Sequence, residues 1–133
     1  MKKILFVVGS MRKGSFNRQM AGEVETLLKD KAEVSYLDYA ALPFVNQDME
    51  FPAPEFVTKV REIVKAVDGI WVFSPEYNYS YPGIVKNLFD WLSRPMIAGD
   101  YGSAAATGKK VTVSNVAGKS TGSGSRAKLV ELF

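Results

Sequence analysis

The chain alternates short, wholly apolar runs with longer stretches whose apolar residues recur every three or four positions. Ile4 to Val8 is continuous and apolar, the pattern of a strand buried on both faces. Phe16 to Lys29 predicts a helix with Met20, Val24, Leu27 and Leu28 on one face. Glu33 to Leu37 alternates like a short strand, and Pro43 and Pro52 break the loop from Asp38 to Pro52. Pro54 suits a first helical position; Phe56, Val57, Val60, Ile63, Val64 and Val67 follow it as a helical stripe. Asp68-Gly69 reads as a turn and Ile70 to Phe73 as a second buried strand. Pro82 opens a helix with Ile84, Val85, Leu88, Phe89 and Leu92 inward. Gly99 to Gly108 is a small-residue loop, Lys110 to Ser114 a fourth strand, and a Gly/Ser-rich loop runs to Ser125. Arg126 to Phe133 starts a last helix bearing Leu129, Val130 and Phe133.

This β-α-β-α-β-α-β-α order predicts an α/β fold with parallel strands and helices on both faces. In such sheets ligands bind beyond the carboxyl ends of the strands. That rule selects three loops, 9–17, 74–81 and 114–124, all rich in Gly, Ser, Asn or Pro.

A length of 133 residues fits one domain, 1–133, with one core. The absence of cysteine and histidine excludes disulfides, thiolate chemistry and a Ser-His-Asp hydrolase, and argues against a zinc site. The net charge of +3 is uneven: residues 1–30 carry six basic and three acidic groups, 31–93 five and nine, and 94–133 six and two. Basic ends without a dense basic stripe fit a small anionic ligand better than nucleic acid. No stretch approaches the roughly 18 apolar residues of a membrane span. The five-residue run Ile4–Val8 lacks the cleavage site of a signal peptide, so the cytoplasm is the expected location.

The segment from Gly9 through Ser10, Met11, Arg12, Lys13, Gly14, Ser15, Phe16 and Asn17 to Arg18 joins a buried strand to a helix. A helix start offers unpaired N–H groups and the positive end of a dipole. Ser10, Ser15 and Asn17 add polar donors, and Arg12 a forked cation, giving a monophosphate cradle. Helix capping by Ser15 or Asn17 accounts for one of these residues but not for the run. The G-x-G-x-x-G fingerprint is absent, because Met11 stands where its second glycine belongs. Ala117-Gly118-Lys119-Ser120 resembles the end of a P-loop, but Val113 occupies the place of the required glycine.

The segment Ser74-Pro75-Glu76-Tyr77-Asn78-Tyr79-Ser80-Tyr81-Pro82-Gly83 sets three tyrosines between a strand and a helix. Tyrosines give a flat ligand contact area at low entropy cost. Tyr79 and Tyr81 equally suit packing on helices or on a second subunit.

Both loops, with Lys86-Asn87 and Asp90-Trp91-Leu92 after the second, resemble the NADPH-dependent FMN reductase family, whose flavodoxin-like members include quinone, chromate and azo-dye reductases. The likeness runs from Lys3 to about Leu132. It implies a doubly wound parallel sheet of order 2-1-3-4, and a fifth strand and last helix that this chain lacks, as in a C-terminally truncated product. It implies bound FMN with NADPH or NADH as co-substrate, hydride passing through the flavin to quinone, azo, metal-oxyanion or free-flavin acceptors. Ser10, Arg12, Ser15, Phe16 and Asn17 then hold the phosphate and ribityl tail. Pro75, Glu76, Tyr77 and Asn78 line the isoalloxazine, largely through backbone groups, and amides near Tyr77 and Asn78 stabilise charge on the reduced ring. Ser114 and Gly118 border the ring from the third loop. No side chain is catalytic and no metal is needed, since the cofactor carries the chemistry. The resemblance further implies a homodimer or homotetramer, with Tyr79–Tyr81 and Trp91–Met96 as contact surfaces, and a small-molecule electron acceptor as the only other partner. An FMN-binding electron carrier without NAD(P)H activity, or a flavin-free interaction module, are the alternatives; the basic charge disfavours the carrier.

Overall fold

The computed structural model describes residues 1–133. Four parallel strands form one sheet in the order β2-β1-β3-β4: β1 (Lys2–Val8), β2 (Ala32–Tyr36), β3 (Gly69–Phe73) and β4 (Lys110–Ser114). Between and after them run α1 (Phe16–Leu28), α2 (Glu55–Lys65), α3 (Gly83–Ser93) and α4 (Ser123–Leu132). This is the flavodoxin-like arrangement the sequence predicts.

Side-chain alternation along the two central strands divides the core. Leu5 and Val7 of β1 and Ile70 and Val72 of β3 pack with Val60, Val64, Val85, Leu88, Leu92 and Leu129 from α2, α3 and α4. Phe6, Val8 and Phe73 point the other way, onto Ala21 of α1, as the period of two requires. Met20, Val24 and Leu28 join that second cluster. Leu27 does not: it is 71% exposed, one helical step off the buried face. Phe6 meets Tyr36, Trp71 and Phe73 ring to ring, at centroid distances of 5.5, 5.9 and 4.8 Å.

The helix starts differ from expectation in informative ways. Pro54 and Pro82 sit at the cap positions of α2 and α3, one residue before the first helical residue; their fixed φ fits either place. α4 begins at Ser123 rather than Arg126, because a carboxylate from another loop caps it, as described below. Trp91 and Leu92 are fully buried within the fold, so they are not part of any outer contact surface. β4 pairs only with β3 and is more exposed than β1 or β3.

Candidate functional site

The three selected loops leave one rim of the sheet. Val8 lies opposite Phe73, and Phe73 opposite Ser114, so the chain emerges from three neighbouring parallel strands side by side. The Gly9 N–H donates to the Phe73 carbonyl at 2.7 Å and the Ser74 N–H to the Ser114 carbonyl at 3.1 Å. A Cβ on Gly9 would stand 3.0 Å from Val85, 3.2 Å from Pro75 and 3.3 Å from the Ser74 Cα. Glycine is what lets the first loop cross this closely to the second. Below them the buried Tyr39 hydroxyl donates to the Val8 carbonyl at 2.8 Å. Burial drives the Tyr39 phenol pKa well above its ordinary value.

In the first loop, Ser15 is the N-cap of α1, its Oγ accepting from the Arg18 N–H at 3.2 Å. Asn17 is buried, and its amide spans 99 residues to the third loop. Its Oδ1 accepts from the Val116 N–H at 2.9 Å, and its Nδ2 donates to the Val116 carbonyl at 3.2 Å. Both side chains are thus committed to structure. Arg12 and Phe16 are exposed, the guanidinium 5.2 Å from the ring centre. Ser10 is half-buried at the rim. The N–H groups of Ser10, Met11, Arg12, Lys13, Gly14, Phe16 and Asn17 donate to no protein acceptor. Free donors, a helix N-terminus and a cation together suit a phosphate dianion.

The second loop is a tight hairpin. The Tyr77 N–H donates to the Ser80 carbonyl at 2.8 Å, and the Ser80 N–H returns to Tyr77 at 3.0 Å. Asn78 and Tyr79 both take positive φ, 52° and 62°, as a two-residue turn between right-twisted strands demands. The Tyr77 amide is thus engaged inside the loop, whereas the Asn78 amide donates to no protein group. Tyr77 and Tyr79 are exposed, while Tyr81 is half-buried against the core. The Pro75 carbonyl accepts from both the Ser74 and Ser125 hydroxyls, at 2.9 and 3.1 Å. The Glu76 carboxylate turns to the start of α4 and accepts from the Ser125 N–H at 2.8 Å. The Ser120 hydroxyl and the Ser125 and Gly124 amides beside it hold its pKa below the usual carboxylate range.

In the third loop the Ser114 hydroxyl accepts from the Trp71 indole at 3.0 Å, and Gly118 is exposed with open space around it. Asn115 braces the loop from within. Its amide donates to the Gly122 carbonyl at 2.7 Å and accepts from Arg126 at 2.5 Å. Gly122 has φ 72°, and a Cβ there would overlap the Asn115 amide. Of the residues selected from sequence, the fold gathers those of all three loops on one rim, but Ser15, Asn17, Glu76 and Ser114 present their side chains to the protein. Tyr39 and Arg126 lie outside the loops selected from sequence, while Gly9 and Asn115 lie within them without having been given a role of their own.

The rest of the second motif has a structural explanation. The Asn87 amide donates to the Pro43 carbonyl at 3.0 Å and accepts from the Val45 N–H at 3.0 Å, and the Trp91 indole donates to Pro43 at 2.7 Å. These two side chains hold the loop after β2 onto α3. Lys86 and Asp90 form an exposed pair one helical turn apart. The largest cavity, about 870 Å³, is lined by Phe44–Met49, Asp90, Ser93 and Arg94 and includes no residue of the three loops. Of its charged lining groups, Arg94 pairs with Glu50 and Asp90 with Lys86, while Asp48 makes no ion pair. No helix is long and apolar enough to cross a membrane.

The family model described as NADPH-dependent FMN reductase matches residues 2–133. A 2-hydroxy-1,4-benzoquinone reductase of Burkholderia sp is 39% identical over 93 residues, 70% of this chain and 51% of that protein. An NAD(P)H:quinone oxidoreductase of Solanum tuberosum is 40% identical over 98 residues, 70% of this chain and 50% of its own length. The chain thus spans about half the length of the curated relatives it matches. Among solved structures, FerB, a flavoenzyme NAD(P)H:(acceptor) oxidoreductase from Paracoccus denitrificans, superposes with a TM-score of 0.89 at 32% identity, covering 99% of this chain and 71% of that one. An azoreductase from Bacillus anthracis shares the fold at a TM-score of 0.64 and 19% identity, over 98% of this chain and 79% of its own.

Proposed function

The chain belongs to the NADPH-dependent FMN reductase family, and on that premise we propose that its rim binds FMN and serves transfer of reducing equivalents from NAD(P)H to a small quinone-type acceptor. The supporting observation is the first loop, where seven backbone N–H groups between Ser10 and Asn17, leading into α1 and including that of Arg12, have no protein acceptor. A terminal phosphate satisfies such donors without displacing any existing bond. Ser10, Arg12 and the amides of Phe16 and Asn17 hold the phosphate. The Asn17 side chain acts one step back, tying the third loop to the first. On the ring side, the Pro75–Asn78 backbone supplies the wall, with the Asn78 N–H as its free donor and Tyr77 as exposed aromatic surface. Ser114 and Gly118 border the ring through the loop they begin and span. Bound there, FMN would supply the hydride and electron-transfer chemistry between nicotinamide and acceptor, and the protein would contribute position and polarity. Quinones are the acceptors named for the relatives; azo compounds, metal oxyanions and free flavin complete the set to assay. A homodimer or homotetramer in the cytoplasm belongs to the same reading.

The test is an FMN titration of the purified protein followed by difference absorbance, then anaerobic addition of NADPH and of a benzoquinone. The expected result is saturable binding, bleaching by NADPH and return of the oxidised spectrum with quinone. A protein that binds no FMN removes the proposal; one that binds FMN but is not bleached is an electron carrier. Arg12→Ala should weaken FMN roughly tenfold, as for loss of one charged hydrogen bond, and leave riboflavin affinity unchanged.

A further inference from the structure

Glu76 lies in the loop that the FMN reading assigns to the ring, yet its carboxylate does not face the open rim. It reaches α4, where it accepts from the Ser125 N–H at 2.8 Å. A helix start carries unpaired N–H groups and partial positive charge, so an ionised carboxylate there is a strong, directional partner. Arg126 on the same helix adds favourable charge. The approach is close enough to exclude a side chain. A Cβ on Gly124 would stand 2.6 Å from the Tyr79 carbonyl oxygen and 3.0 Å from the Glu76 carboxylate. The Ser125 hydroxyl, wholly buried, adds its bond to the Pro75 carbonyl. The hydrogen bonds and the close approach at Gly124 all join residues 75–79 to residues 124–125.

We propose that Glu76 is a positioning residue: its carboxylate latches the hairpin at Tyr77–Ser80 to the first turn of α4 and so fixes the flavin-facing backbone of the second loop relative to the third. The inference rests on the FMN reading and deepens it by assigning a task to a side chain that does not touch the cofactor. The hairpin has little else to hold it. Its own two hydrogen bonds close it locally, and Tyr77, Asn78 and Tyr79 are all exposed. The latch acts on the ring side only, because the phosphate donors of the first loop are tied instead through Asn17 and Ser15.

The experiment compares FMN and riboflavin affinities for the full chain and for Glu76→Gln, Glu76→Ala and Gly124→Ala, with amide hydrogen exchange on each. Glu76→Ala is expected to weaken both flavins by the same factor, roughly tenfold for a lost charged hydrogen bond, and to speed exchange at Ser125 and at Tyr77–Ser80 while α1 and α2 stay protected. Glu76→Gln, which keeps one acceptor oxygen, is expected to recover most of the affinity. Gly124→Ala, which forces the same two segments apart without touching a charge, should repeat the Glu76→Ala signature. Flavin affinities within twofold of the parent in both Glu76→Ala and Gly124→Ala overturn the proposal, as does a loss confined to FMN. If the parent chain binds neither flavin, the FMN reading falls. The latch is then judged on exchange alone: unchanged exchange at Tyr77–Ser80 in Glu76→Ala overturns it, and faster exchange confined to the two segments supports it.

Discussion

The loop after β1 and the loop after β3 share one rim and are built in opposite ways. The first leaves its backbone donors free and anchors itself through side chains: Ser15 caps α1, and Asn17 holds Val116. The second closes on itself through backbone bonds, accepts two residues at positive φ, and reaches outward through Glu76. On the proposed FMN reading, the difference matches the ligand part assigned to each loop. An anion is met by unpaired N–H groups at a helix start, whereas a flat ring is met by a shaped wall whose own polar groups are mostly satisfied.

The sharpest way to break the comparison is at the crossing of the two loops. Gly9→Ala places a methyl within 3.3 Å of Val85, Pro75 and the Ser74 backbone and should destabilise the fold by about 1–3 kcal/mol, the usual cost of overpacking. Denaturant unfolding reads this directly, and an unchanged midpoint would show that the loops are free to separate. Ser15→Ala removes the cap of α1 and should cost about 1 kcal/mol with little effect on the second loop. Exchange at the Arg18 amide checks it, since that donor loses its acceptor. Tyr79→Gly should act in the opposite direction and by least. A non-glycine residue in the left-handed region costs roughly 1–2 kcal/mol, while glycine forfeits about 0.5–1 kcal/mol of chain entropy. A net gain of about 0.5 kcal/mol in stability is expected. If the Tyr79 ring serves the acceptor, turnover falls in the same variant even as the melting temperature rises.

Much of this was legible in the chain. The runs Ile4–Val8 and Ile70–Phe73 announce buried strands because both of their faces meet apolar layers, and the stripe from Phe56 to Val67 could only be a helix. The three loops were selectable because small, polar and proline residues interrupt those runs. What stayed hidden depends on partners remote in sequence. Nothing local tells that Asn17 answers Val116, or that Glu76 starts α4 at Ser123 within a Gly/Ser stretch of low helix propensity. The turn at Asn78–Tyr79 lacks the glycine that usually marks such a hairpin, so its positive φ values follow only from the pairing of Tyr77 with Ser80. Leu27 shows the reverse error, an apolar residue at helical spacing that faces water.

The two tryptophans stand on different sides of this architecture. The Trp91 indole is fully buried on α3, bonded to the Pro43 carbonyl. The Trp71 indole is half-buried on β3 and bonded to Ser114 at the root of the third loop. Their emission should therefore separate by wavelength, Trp91 blue and steady until the core melts, Trp71 redder and responsive to events at the rim. The molecule thus carries an optical gauge on each face of its sheet without any added label.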